Sequence, residues 1–139
     1  MGPVVDCRRR TIDEEENVVA GSNTLSGVVA EHVTAVNAFD EDAIVATFAE
    51  DALVNDAHRE ILGAAAIRGW VAKEMVGDKV TLEVTEVLDH YGTTIVRARY
   101  DGEYDKTNLP DDLIMTNYFT VRDSKIVTLF VIRNTPSAY

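Results

Sequence analysis

The stretch Phe48-Ala-Glu-Asp-Ala-Leu-Val-Asn-Asp56, with Leu62-Gly-Ala-Ala-Ala-Ile-Arg-Gly-Trp70 close behind, constrains this chain more than any other. Ile44 and Phe48 stand i,i+4 on one helix face, Glu50-Asp51 stops that pattern, and Ala52-Leu-Val54 is apolar and extended. The segment reads as the end of a short helix passing into a strand that finishes on a carboxylate, Asp56. Val54 precedes that acid, and Ala57, Ile61 and Leu62 follow it. An acid among apolar neighbours is costly unless it is paired, solvated or used. Asp56 is therefore either a turn aspartate capping its own backbone or a working group.

The flanking sequence supplies the elements around it. Val29, Val33, Val36 and Phe39 recur every three to four residues, which predicts an amphipathic helix over residues 25–39. His32 sits at the border of that stripe, where a lone histidine is most often a partly buried surface residue. Asp40 suits the N-cap of a second helix, with Glu41 and Asp42 in its first turn, running to about Ala49. Residues 59–62 form a short strand, Gly63 breaks the chain, and Ile67, Trp70, Val71 and Met75 give a third helix its buried face. After Gly77-Asp78 the chain is strand-rich. Val80, Leu82 and Val84 alternate with Thr81, Glu83 and Thr85, and residues 94–100 are rich in strand formers. Leu113, Met115, Asn117, Phe119 and Val121 share one face of a long strand. A turn over residues 122–125 leads into a last strand with Ile126, Thr128, Phe130 and Ile132 on one face.

Helix, helix ending F-A-E-D-A, strand ending N-D, short return strand, and G-x-x-A-I-R opening a third helix: this order resembles the nuclear transport factor 2 superfamily. More narrowly, it resembles the SnoaL-like and ketosteroid-isomerase-like branch, over roughly residues 28–134. The resemblance implies an α+β, cone-shaped NTF2-like (cystatin-like) fold. Three N-terminal helices would pack on a curved antiparallel sheet with a pocket between them. The fold hosts enzymes and binding modules alike, so activity must be argued from the site.

In the ketosteroid-isomerase pattern, the Asp56 position holds the general base that moves a proton on carbon next to a carbonyl. The two positions holding oxyanion donors fall on His32 and Asn117. That pairing of a carboxylate base with neutral donors is an established pattern. The base needs apolar walls and a reacting C–H within hydrogen-bond reach; each donor can contribute up to about 3–4 kcal/mol to the transition state. Val54, Trp70, Met115, Phe119 and Phe130 are the expected pocket walls. An epoxide-hydrolase relative uses Asp–Arg–Asp around a water; here Arg99 and Asp101 have the spacing, while its last aspartate falls on Val131. The implied function is cofactor-free acid–base isomerisation or cyclisation of an apolar small molecule bearing a carbonyl. The alternative is a non-catalytic ligand-binding or accessory module.

The formal charge of −11 is spread along the 139 residues, with no basic patch to attract nucleic acid or anionic membranes. No apolar run approaches the ~20 residues of a membrane span. Cys7 is the only cysteine, which fits a reducing cytoplasm. His32, His58 and His90 lack the spacing of a metal site. Residues 1–24, with Arg8-Arg9-Arg10 followed by Asp13 to Glu16, read as a flexible arm before a domain over 25–139. Thr81, Thr85, Val127, Leu129 and Val131 are expected on the outer sheet face, which predicts a homodimer through that face.

Overall fold

Valines at three- and four-residue spacing build the first helix, α1 (Gly27–Asn37), with Val29, Val33 and Val36 buried. The computed structural model describes residues 25–133; the expected arm over residues 1–24 lies outside the described residues. Helix α1 stops earlier than its pattern suggests. Phe39 takes a positive φ of 56° and is 38% exposed rather than part of the buried stripe. The reason lies in the next residue: Asp40 accepts the Ala43 amide at 3.1 Å and caps helix α2 (Glu41–Ala46).

Helix α2 is also short, and strand β1 (Phe48–Asp56) begins where the sequence suggested a helix end. Phe48 already pairs with Ile126 of the last strand, so tertiary pairing overrides the i,i+4 pattern there. Strand β1 then turns through Ala57 and His58 into β2 (Arg59–Leu62), both turn residues at positive φ (53° and 73°). Such a two-residue turn normally calls for Asn or Gly. Here the Asn55 carboxamide oxygen accepts the His58 amide at 3.1 Å.

Helix α3 (Ala64–Trp70) continues into a π-helical turn, Val71–Val76, and buries Ile67, Trp70, Val71 and Met75 as expected. Four long strands follow: β3 (Thr81–His90), β4 (Thr93–Asp101), β5 (Leu113–Arg122) and β6 (Lys125–Arg133). The six strands form one sheet in the order β2-β1-β6-β5-β4-β3. All neighbours are antiparallel except β1 and β6, which run parallel, so the sheet is mixed rather than antiparallel throughout.

A bulge corrects the expected facing of β6. Thr120 pairs with Thr128 but Val121 pairs with Ile126, so one extra residue enters β6. Beyond it the alternation inverts. Leu129 and Val131, expected outside, are buried, whereas Phe130 and Ile132 are 38% and 52% exposed. One clamp ties helix to sheet: Asn37 donates to the Leu82 carbonyl at 3.0 Å and accepts the Leu82 amide at 2.7 Å. Val54, Ile67, Val71 and Ile126 are fully buried in the core between the layers. Each contributes roughly 1.5–3 kcal/mol of apolar burial.

Candidate functional site

Between the helices and the concave face of the sheet lies a cavity enclosing about 750 Å³, its open mouth included. Its polar groups come from distant parts of the sequence: His32 from α1, Asp56 from the end of β1, Tyr100 from β4 and Asn117 from β5. The three residues that the resemblance singled out therefore share one cavity. Met75, Val80, Leu82, Met115, Leu129 and Val131 supply the apolar walls.

Of the expected wall residues, Trp70 and Met115 line the cavity. Val54 is instead fully buried in the core, and Phe119 backs the cavity, packing edge-on against His32 with ring centres 5.3 Å apart. Phe130 is turned away by the β6 bulge. Arg99 and Asp101 also point outward, since Ala98 and Tyr100 hold the inner face of β4. Arg99 pairs with Glu83 and Asp112, and Asp101 with Lys106. The Asp–Arg–Asp arrangement is thereby excluded.

Two polar chains occupy the deep end. His32 is 2% exposed, and its Nδ1 lies 3.0 Å from the Thr47 hydroxyl, which donates to the Ile44 carbonyl at 2.6 Å. Burial pulls the imidazole down to about 4, so it is neutral at physiological pH. In the second chain, Tyr100 donates to the Asn117 carboxamide oxygen at 2.5 Å, and Asn117 Nδ2 donates to the Val96 carbonyl at 3.1 Å. Burial pushes the Tyr100 phenol up, and the charge of Asp56 adds to that.

The mouth is organised differently. Asp56, flanked by apolar residues in the sequence, is paired: it accepts from Arg59 at 2.8 Å and from the Trp70 indole N–H at 3.1 Å. Both contacts fall on Oδ2, which leaves Oδ1 without a partner among the described residues. Arg59 reaches on to Glu74 with two bonds of 2.8 Å. That guanidinium holds the Glu74 carboxyl below its usual range. The hairpin explains the pairing: its turn sets Asp56 opposite Arg59. Across the mouth, the backbone amide of Glu103 donates to the Asp78 carbonyl at 2.6 Å and brings the 102–112 loop, with Tyr104 and Leu109, over the opening.

Arg59, Thr47 and Tyr100 were not singled out from the sequence. Tyr100 carried a signal, since it follows Val96 and Ala98 at strand spacing on the buried face. Thr47 carried none, because its role depends on a histidine fifteen residues away. No group of three or more His, Cys, Asp or Glu that could hold a metal ion gathers among the described residues. None of the described helices is long and apolar enough to cross a membrane.

Known structures share this architecture. A candidate polyketide cyclase from Sinorhizobium meliloti is 27% identical, with 77% of this chain and 94% of that one covered at a TM-score of 0.69. SalBIII, an epoxide hydrolase/cyclase-like enzyme of pyran ring formation in the polyether salinomycin, is 24% identical. It covers 78% of this chain and 88% of its own, at a TM-score of 0.67. A protein from Catenulispora acidiphila with a ketosteroid isomerase-like fold, solved with trimethylamine, is 20% identical. The coverage there is 78% and 85%, and the TM-score 0.66. At those identities the last two show the fold alone. No curated protein matches the chain significantly. The model of the SnoaL-like domain matches residues 29–129, most of the chain, over the same helices and sheet that enclose the cavity: the chain belongs to the SnoaL-like domain family, on an NTF2-like fold.

Proposed function

We propose that the chain is an acid–base enzyme of the isomerase or cyclase kind, acting in the cytoplasm on an apolar small molecule with a carbonyl and needing no cofactor. The observation that carries this reading is the convergence of Asp56 and Asn117, 61 positions apart, on one cavity whose walls are largely apolar. Asp56 is the base: Oδ1 takes a proton from carbon next to the carbonyl while Arg59 and Trp70 hold Oδ2 and fix the carboxylate's orientation. The enolate oxygen is met by the second N–H of Asn117, whose first is committed to Val96. Returning the proton to a different carbon completes an isomerisation; in a cyclisation the enolate carbon attacks a second carbonyl and Asp56 returns its proton to the alkoxide so formed.

Exchange in heavy water tests this. A panel of apolar ketones incubated with the chain should incorporate deuterium next to the carbonyl, followed by proton NMR. Asp56→Asn should slow that exchange roughly a hundredfold or more. Exchange that survives the substitution overturns the assignment of Asp56.

One observation favours the second reading, a non-catalytic binding module. The carboxylate that would have to take the proton is already engaged in an ion pair with Arg59. On that reading ketones bind the cavity, and neither the wild type nor Asp56→Asn promotes exchange.

We also propose a homodimer through the outer sheet face. Leu88, Ile95, Tyr118 and Phe130 form one row across β3, β4, β5 and β6 by direct cross-strand pairing. Three of the four are 36–47% exposed. A second copy would cover that row. Light scattering giving a monomer mass at micromolar concentration would sink the idea.

A further inference from the structure

We propose that the deep wall of the cavity presents two hydrogen-bond acceptors, His32 Nε2 and the Tyr100 hydroxyl oxygen, and so selects ligands with hydroxyl or N–H donors at that end. Thr47 and Asn117 are the positioning residues that set this polarity. The inference deepens the proposed function by naming the substrate class, a hydroxylated carbonyl compound, and rests on that function only for the carbonyl.

A backbone carbonyl can accept a hydrogen bond and never donate one, so it fixes the direction of any chain that ends on it. The Thr47 oxygen lies 2.6 Å from the Ile44 carbonyl oxygen. Two oxygens at that distance repel unless a hydrogen lies between them, and the only hydrogen available is the threonine's own. Thr47 then has nothing left to donate, so its 3.0 Å contact with Nδ1 is donated by the imidazole. A neutral imidazole carries a single N–H. Nε2 is left as a bare lone pair, with no partner among the described residues, on a ring that lines the cavity.

The Val96 carbonyl directs the second chain in the same way. Turning the Asn117 carboxamide over would set its oxygen about 3.1 Å from the Val96 oxygen, so Nδ2 faces Val96 and Oδ1 faces Tyr100. At 2.5 Å the Tyr100 hydroxyl must then donate into Oδ1. Its hydrogen is spent, and what it offers the cavity is oxygen lone pairs. Both chains begin on a carbonyl and end on an acceptor. For His32 this reverses the oxyanion-donor role that the resemblance implied.

The tautomer can be read directly by heteronuclear NMR on the full chain with isotope-labelled histidine. At neutral pH we expect the His32 proton on Nδ1 in the wild type and in Thr47→Ser, moving toward Nε2 in Thr47→Val. Calorimetry with β-naphthol and its methyl ether then tests the wall. The phenol should bind about tenfold tighter, the worth of one added hydrogen bond to a buried acceptor. A proton on Nε2 in the wild type, an unchanged tautomer in a folded Thr47→Val, or a methyl ether that binds as tightly as the phenol each overturns the proposal. The wild-type tautomer and the probe pair decide the matter even if Thr47→Val fails to fold. A chain that catalyses no deuterium exchange sinks the acid–base reading and touches neither readout.

Discussion

At the deep end of the cavity His32, Thr47 and Asn117 are 2–4% exposed, and each belongs to a hydrogen-bond chain anchored on a backbone carbonyl. At the mouth the Arg59 side chain is 53% exposed, and its partners Asp56 and Glu74 are 19% and 32% exposed. Both regions are polar networks lining one cavity. They differ in what happens to a group that loses its partner. A buried donor or acceptor has no water to turn to, so its geometry is enforced by the cost of the alternative. At the mouth, water can replace any partner, and the ion pairs orient groups without contributing much stability. The deep end sets what a ligand must offer; the mouth is where a group can change partners during a reaction.

The largest effect should come from cutting a deep chain. Asn117→Leu leaves the Val96 carbonyl and the Tyr100 hydroxyl without their partner, which should cost about 3 kcal/mol in urea unfolding. A loss below about 1 kcal/mol would mean water reaches the deep end and would erase the contrast with the mouth.

A pH series separates the regions next. His32 is held near 4 when folded, against 6.5 for the free side chain, so as pH falls the unfolded chain takes the proton first. Its contribution is complete above about pH 6.5 and is lost as pH falls toward 4, up to about 3 kcal/mol. Urea midpoints across that window should fall in the wild type and stay flatter in His32→Gln. Equal slopes in both would place the titration elsewhere.

Breaking the mouth should matter less. Arg59→Gln is expected to cost under about 1 kcal/mol, with the cost shrinking further at high salt because exposed pairs are screened. A loss matching that of Asn117→Leu would show that the mouth is as closed to water as the deep end.

The smallest change concerns the turn that places Asp56. Ala57 holds a φ of 53°, which glycine adopts without strain, so Ala57→Gly should raise stability by about 0.5 kcal/mol. A fall in the thermal midpoint would mean that loss of chain entropy outweighs the relief.

Much of the fold was legible because local pattern and final environment agree. The valine spacing of α1, the Asp40 cap, the buried face of α3 and the inward face of β5 follow from periods that need no partner to be read. The convergence of Asp56, His32 and Asn117 came only through the resemblance, since no spacing in the chain relates a helix, a strand end and a distant strand. Where the reading failed, a tertiary contact had displaced a local preference: Phe48 entered a strand because Ile126 pairs with it, and Phe39 left its helix because Asp40 caps the next.

What the sequence determined by itself was the set of elements, their apolar faces, and an acid at the end of β1. The tertiary structure alone decided three things. The β6 bulge put Leu129 and Val131 into the cavity and Phe130 outside, because one inserted residue reverses a period of two. The hairpin turn gave Asp56 the Arg59 partner that an apolar neighbourhood in sequence did not announce. The Ile44 and Val96 carbonyls fixed which way the buried hydrogen bonds run, since a side chain's capacity to donate or accept becomes a direction only when a group that can do just one of these is placed against it.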